Sequence, residues 1–150
     1  MQAEGKKRPL TGFTIVELLL VFVIVVVVMG LMQPAIRESR REVNRTNCAN
    51  NLRQLGRALY IYAKEHDGVF PPAIDTLYSE QYLADKGLLD CPATKKTGTG
   101  EDPDYVYTQN ATMRSDSLGV LLRDKEGNHV GGMNAVLVNG KLVWQEESKG

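Results

Sequence analysis

From Phe13 to Met32 the chain runs for twenty residues with a single charge, Glu17, and that stretch limits what its amino end can become. At about 1.5 Å of rise per residue, a helix of this length matches the bilayer hydrocarbon core of about 30 Å. A buried helix of a soluble domain rarely stays apolar on every face for so long. The segment therefore reads as a membrane-spanning helix. An ionised side chain inside it costs about 2.5–3.5 kcal/mol at the centre and less near an end, so Glu17 marks a function.

The residues before the run sharpen that reading. Lys6, Lys7 and Arg8 form a short basic head, and Thr11-Gly12 is a small polar joint. A secretory signal places its small-residue cleavage site after the apolar region, whereas no Ala-x-Ala-like site follows Met32, so any cut lies in front. Loop charges do not orient the span, because Arg37, Arg40, Arg41 and Arg45 answer the basic head from the other side. The basic leader, Gly12, Phe13, a glutamate five residues after the glycine and the apolar run together resemble the type IV pilin and type II secretion pseudopilin superfamily. The resemblance implies cleavage between Gly12 and Phe13 by a prepilin peptidase, N-methylation of the new Phe13 amine, a cytoplasmic amino end and a periplasmic head. It also implies that Glu17 pairs with the charged Phe13 amine of a neighbouring subunit in a helical filament. The plainer alternative is a single-span anchor whose glutamate snorkels to the headgroups.

Without residues 1–12 the side-chain charge shifts from zero to about minus two, so no basic excess points to nucleic acid. About 90 to 100 of the 150 residues lie beyond the helical stalk, enough for one small domain and too few for two. Such a thin core must borrow a helix face. Cys48 and Cys91 are the only cysteines, and a disulfide between them suits a small exported domain, with two buried thiols as the alternative. Their spacing does not make a metal site.

Pro34 is expected to kink the helix rather than end it, because helix-favouring Ala, Arg and Glu follow; pilins commonly carry a proline at the corresponding place. Beyond it Cys48, Leu52, Leu55, Leu59 and Tyr62 recur at spacings of four and three, one apolar stripe that needs a sheet to cover it. His66-Asp67-Gly68 ends the helix. Asp75 is expected to cap a short helix bearing Leu77, Tyr78, Tyr82 and Leu83. Leu88 to Pro92 returns to the core, and a polar loop from Thr94 to Pro103 is expected to be mobile. Tyr105–Tyr107, Leu118–Arg123, Asn134–Val138 and Lys141–Gln145 read as strands. The last two are joined by Asn139-Gly140, the signature of a tight hairpin turn with both residues at positive φ. The expected fold is α+β and pilin-like, a long helix packed on a small C-terminal antiparallel sheet. Its divisions are leader 1–12, membrane and assembly helix 13–33, amphipathic stalk 34–64 and head 65–150.

A second resemblance covers the head. Cys48 to Leu59, Cys91-Pro92 and His129 to Trp144 are similar to the pseudopilin-like proteins abundant in planctomycetes, whose hallmark is a histidine, nine residues, then Asp-Gly. Here Asn139-Gly140 stands at that spacing from His129. Asp at 139 could bind a metal, but Asn is neutral and serves a turn at least as well, so His129 and Asn139 read as structural, with His129 a weaker ligand candidate. Gly131-Gly132 permits a tight backbone path. Major secretion pseudopilins often bind calcium near the end of the head, and Asp116, Asp124, Glu126 and Asn128 offer hard oxygens, but without a ligand spacing they read as a solvated acidic loop. His66 and His129 have no nucleophile-elbow, zincin or phosphate-loop context, so no catalysis is expected. The expectation is a secretion-type pseudopilin without cofactor or metal, whose partners are prepilin peptidase, copies of itself, other pseudopilins or pilins and an inner-membrane assembly platform. The rivals are a type IV pilus subunit for adhesion, motility or DNA uptake, a non-polymerising periplasmic ligand-binding protein, and an exported enzyme on a prepilin-type anchor.

Overall fold

The computed structural model describes residues 12–94 and 103–147, and the chain divides after Glu38 into two units. The basic leader through Thr11 and the polar loop from residue 95 to 102 lie outside the described residues. The long helix α1 spans Ile15–Glu65. It starts where the sequence supplies a cap: Thr14 Oγ1 accepts the Glu17 N–H at 3.3 Å, and the Thr14 carbonyl accepts that of Leu18 at 3.1 Å. Thr14 and Glu17 occupy the two positions of a capping box, and a carboxylate in the first turn also offsets the positive end of the helix. The helix runs through Pro34, although the proline ring removes the N–H that would bond the Gly30 carbonyl.

In the first unit every side chain from Phe13 to Met32 is exposed, so these residues build no core of their own. This is the one helix long and apolar enough to cross a membrane among the described residues. The second unit holds the core. Cys48, Leu52, Leu55, Leu59 and Tyr62 are all buried, with Ala49, Gly56, Ala58 and Ala63 beside them. Each fully buried leucine contributes about 1.5–3 kcal/mol of apolar transfer. Gly56 brings the helix close to the sheet: a Cβ there would stand 3.2 Å from a Val136 methyl. At the end of α1, Asp67 (φ 53°) and Gly68 (φ 82°) turn left-handed, and the Gly68 N–H reaches back to the Ala63 carbonyl at 2.7 Å.

After α1 come the one-turn helix α2, Thr76–Ser79, and a 3-10 turn over Lys86–Leu89. Asp75 does not cap α2 as expected, because its own backbone is already helical and its side chain accepts no capping bond. Tyr82 and Leu83 lie beyond that single turn. Four strands follow, β1 Tyr105–Tyr107, β2 Val120–Asp124, β3 Gly132–Leu137 and β4 Leu142–Glu146, antiparallel in the order β1-β2-β3-β4. A register shift between Val120 and Leu122 lets the consecutive Leu121 and Leu122 both be buried. The chain is thus α+β, a long N-terminal helix packed on a small antiparallel sheet, the arrangement that the pilin resemblance implies.

The β3–β4 hairpin differs from expectation in its turn. Gly140 takes positive φ (81°) but Asn139 does not, because three residues rather than two separate the hydrogen-bonded Leu137 and Lys141. Gly140 N–H donates to the Leu137 carbonyl at 2.8 Å, Leu137 N–H to the Lys141 carbonyl at 2.9 Å, and Asn139 Oδ1 accepts the Lys141 N–H at 2.9 Å. This is a four-residue turn followed by a glycine bulge. At the other end of β3, a Cβ on Gly132 would collide with the Gln145 carbonyl and stand 2.8 Å from the Trp144 ring. Gly132→Ala should therefore cost about 1–3 kcal/mol by overpacking. Thermal unfolding followed by near-ultraviolet dichroism checks it, and an unchanged midpoint would refute the close approach.

Candidate functional site

Two constellations stand out, one in each unit. At the amino end Gly12 has open space where a Cβ would stand, and Phe13 is 81% exposed. The Glu17 backbone is held by Thr14, while its side chain is exposed and makes no hydrogen bond or ion pair among the described residues. An accessible small-residue joint and an aromatic residue thus lie just before the apolar helix, and a carboxylate unpaired among the described residues lies in its first turn. Pro34 lies inside α1.

The second constellation is buried in the head. Cys48 on α1 and Cys91 after the 3-10 turn form a disulfide, with Cα atoms 5.4 Å apart. Around it stand Asp124 at the end of β2, Tyr105 in β1 and His129 in the β2–β3 loop. Tyr105 OH is 3.3 Å and Asp124 Oδ1 3.4 Å from Cys48 Sγ, while His129 Nε2 is 3.5 Å from Cys91 Sγ and 3.4 Å from Asp124 Oδ2. Asp124 is wholly buried and the His129 side chain 5% exposed. Asn134 holds the carboxylate, donating its backbone N–H at 2.8 Å and its Nδ2 at 2.9 Å to Oδ2. Desolvation raises the Asp124 pKa against the lowering effect of the Asn134 bonds and of His129. Desolvation likewise lowers that of His129, opposed by Asp124 and reinforced by the Arg45 charge. Burial also raises the Tyr105 phenol.

A second buried carboxylate fastens this region. Asp104 Oδ2 accepts the Cys91 N–H at 2.9 Å and the Thr94 hydroxyl. The Asp104 carbonyl accepts Lys125 N–H at 3.0 Å and Asn128 Nδ2 at 2.8 Å. Asp104 therefore ties the Cys91 segment to the loop that carries His129. Arg45 stacks over the Trp144 ring at 3.6 Å.

His129 and Asn139, read from the sequence as structural residues of one motif, serve separate places in the fold. The two residues lie before and after β3, Asn139 in the hairpin turn and His129 against Cys91 and Asp124. Nor do Asp116, Asp124, Glu126 and Asn128 form one acidic loop. Asp124 is buried, Asp116 Oδ1 accepts the Leu118 N–H at 3.0 Å, Glu126 faces Arg123 at 3.7 Å and Asn128 bonds the Asp104 carbonyl. Sequence reasoning passed over Asp104 and Tyr105 and misplaced Asp124. One signal was present, since strand alternation sets Asp124 on the side of buried Leu122.

No family model, curated protein or solved structure matches the chain.

Asp104→Ala leaves the buried Cys91 N–H without an acceptor, a loss of about 1–3 kcal/mol. Asp104→Asn keeps an acceptor oxygen and should cost less. Urea unfolding of the two variants tests the order, and equal midpoints would contradict the assigned role.

Proposed function

We propose that this chain is a pseudopilin, a structural subunit of a type II secretion-like filament, cut between Gly12 and Phe13 by a prepilin peptidase and held in the inner membrane by the apolar part of α1. The observation that carries the reading is the stretch from Phe13 to Met32, exposed on every face and bearing one carboxylate that has no partner among the described residues. Lipid satisfies the apolar faces of a single copy but gives Glu17 no counter-charge. A neighbouring copy with a freed Phe13 amine does, and methylation leaves that amine charged. The pair sets axial register, because a slipped subunit leaves both charges unpaired in apolar surroundings at a cost of several kcal/mol.

The open approach at Gly12 supports processing there, since a peptidase must reach the backbone. The compact head, with a core built on one helix face and four short strands, supports a secretion subunit in preference to a pilus subunit. In the filament the apolar helices pack at the centre and the heads form the surface. Neither constellation is assigned catalysis.

Glu17→Leu should insert into the membrane as the parent chain does, while the assembled fraction falls about tenfold or more. Fractionation and filament shearing measure both, and normal filament yield would sink the proposed role. Gly12→Val should leave the leader attached, read as intact mass, with no methylated Phe13. Normal processing of that variant would remove the cleavage assignment.

A further inference from the structure

We propose that the reduced head holds a zinc ion through Cys48, Cys91, His129 and Asp124, so that zinc and the disulfide are alternative occupants of one buried centre. Cys48, Cys91 and His129 bring their ligand atoms within 4.8 Å of one another. Asp124 lies against them, with Oδ1 facing Cys48 and Oδ2 facing His129. Two sulfurs, an imidazole nitrogen and a carboxylate oxygen form a donor set suited to tetrahedral zinc. Calcium would require six to eight oxygens.

Three distances within this group are of the size the ion requires. Zinc–ligand bonds of about 2.0–2.3 Å make tetrahedral edges of about 3.3 Å between nitrogen and oxygen and about 3.5 Å between sulfur and either. His129 Nε2 stands 3.4 Å from Asp124 Oδ2 and 3.5 Å from Cys91 Sγ, and Cys48 Sγ stands 3.4 Å from Asp124 Oδ1. Binding requires the Asp124 carboxylate to bring a single oxygen to the sulfurs and the imidazole, and the sulfur–sulfur edge to open from a covalent bond to about 3.7 Å. Reduction opens that edge.

A second observation points to a ligand. A disulfide sulfur carries no hydrogen, so the contact of Asp124 Oδ1 with Cys48 Sγ supplies that oxygen with no donor. Among the described residues Oδ1 has no other partner, and Asp124 is wholly buried. Its other oxygen is fixed by the two Asn134 bonds, the kind of outer support that orients a metal ligand. Tyr105 OH, 3.3 Å from Cys48 Sγ, stands where it can donate to a thiolate.

The chemistry balances without an unnamed reactant. A newly made chain carries two thiols; zinc binding releases their two protons to solvent and leaves two thiolates on the ion. From the oxidised form, a dithiol reductant supplies two electrons and two protons, both Cys48 and Cys91 become thiols, and the reductant closes its own disulfide.

The test uses the full-length chain in detergent micelles, either oxidised or reduced with a dithiol that is then removed without air. After zinc addition and desalting, the reduced chain should retain about one zinc per chain and the oxidised chain almost none. Cobalt added to the reduced chain should give the visible bands of a tetrahedral site and a thiolate charge-transfer band. Asp124→Asn and His129→Ala should each weaken zinc by more than the roughly 10–100-fold typical of outer-shell changes. Thermal unfolding of each oxidised variant establishes that it folds, and competition with a chromophoric chelator gives the affinities. Zinc retained equally by both redox forms, no zinc on the reduced chain, or affinity unchanged in folded Asp124→Asn and His129→Ala would each overturn the proposal.

Discussion

The head depends on the contact between the Cys48–Ala63 face of α1 and the sheet. Leu52, Leu55 and Leu59 are fully buried, and Gly56 lets Val136 approach the helix closely. A four-stranded sheet with a three-residue edge strand has little capacity to bury a core by itself, so the helix face supplies what the strands cannot. The Cys48–Cys91 bond fastens the segment after α2 to that same face. Asp104 then fastens that segment to the β2–β3 loop, which brings His129 to the disulfide.

The same helix begins with a different problem. Around Cys48 to Ala63 a stripe of small and apolar side chains meets protein, whereas from Phe13 to Met32 the apolar surface has no stripe because it has no polar side. Such a surface fits lipid or other helices. Glu17 fits neither when alone, although its place in the first turn, beside the Thr14 cap, reduces the cost below that of a mid-membrane charge. Glu17 thus has two places, its backbone N–H in the cap that starts the helix and its carboxylate, on the proposed reading, in meeting a neighbour.

Local chemistry was legible in the chain, and long-range chemistry was not. The spacing of Cys48, Leu52, Leu55, Leu59 and Tyr62 announced the buried face because helical periodicity is a local property. Asn139-Gly140 announced a hairpin, but the number of loop residues follows from β3–β4 register, which no dipeptide encodes. Asp75 resembled a cap, yet its backbone had already entered the helix. Asp124 resembled a solvated acid because Glu126 and Asn128 follow it closely, and its burial arises from partners on α1 and β3 far away in sequence. His129 read as a structural residue before the hairpin, while its contacts are with Cys91 and Asp124 across the fold.

Disulfide crosslinking in the membrane tests most directly whether the apolar part of α1 joins copies of this chain. Cysteines placed at Thr14 and Leu18 sit beside Phe13 and Glu17, while Cys48 and Cys91 are already bonded to each other. Oxidation of membranes carrying the doubly substituted full chain should give a ladder of dimers, trimers and longer species, and the ladder should collapse when Glu17 is also replaced by leucine. A monomer that yields no ladder under conditions that preserve the head would contradict the account.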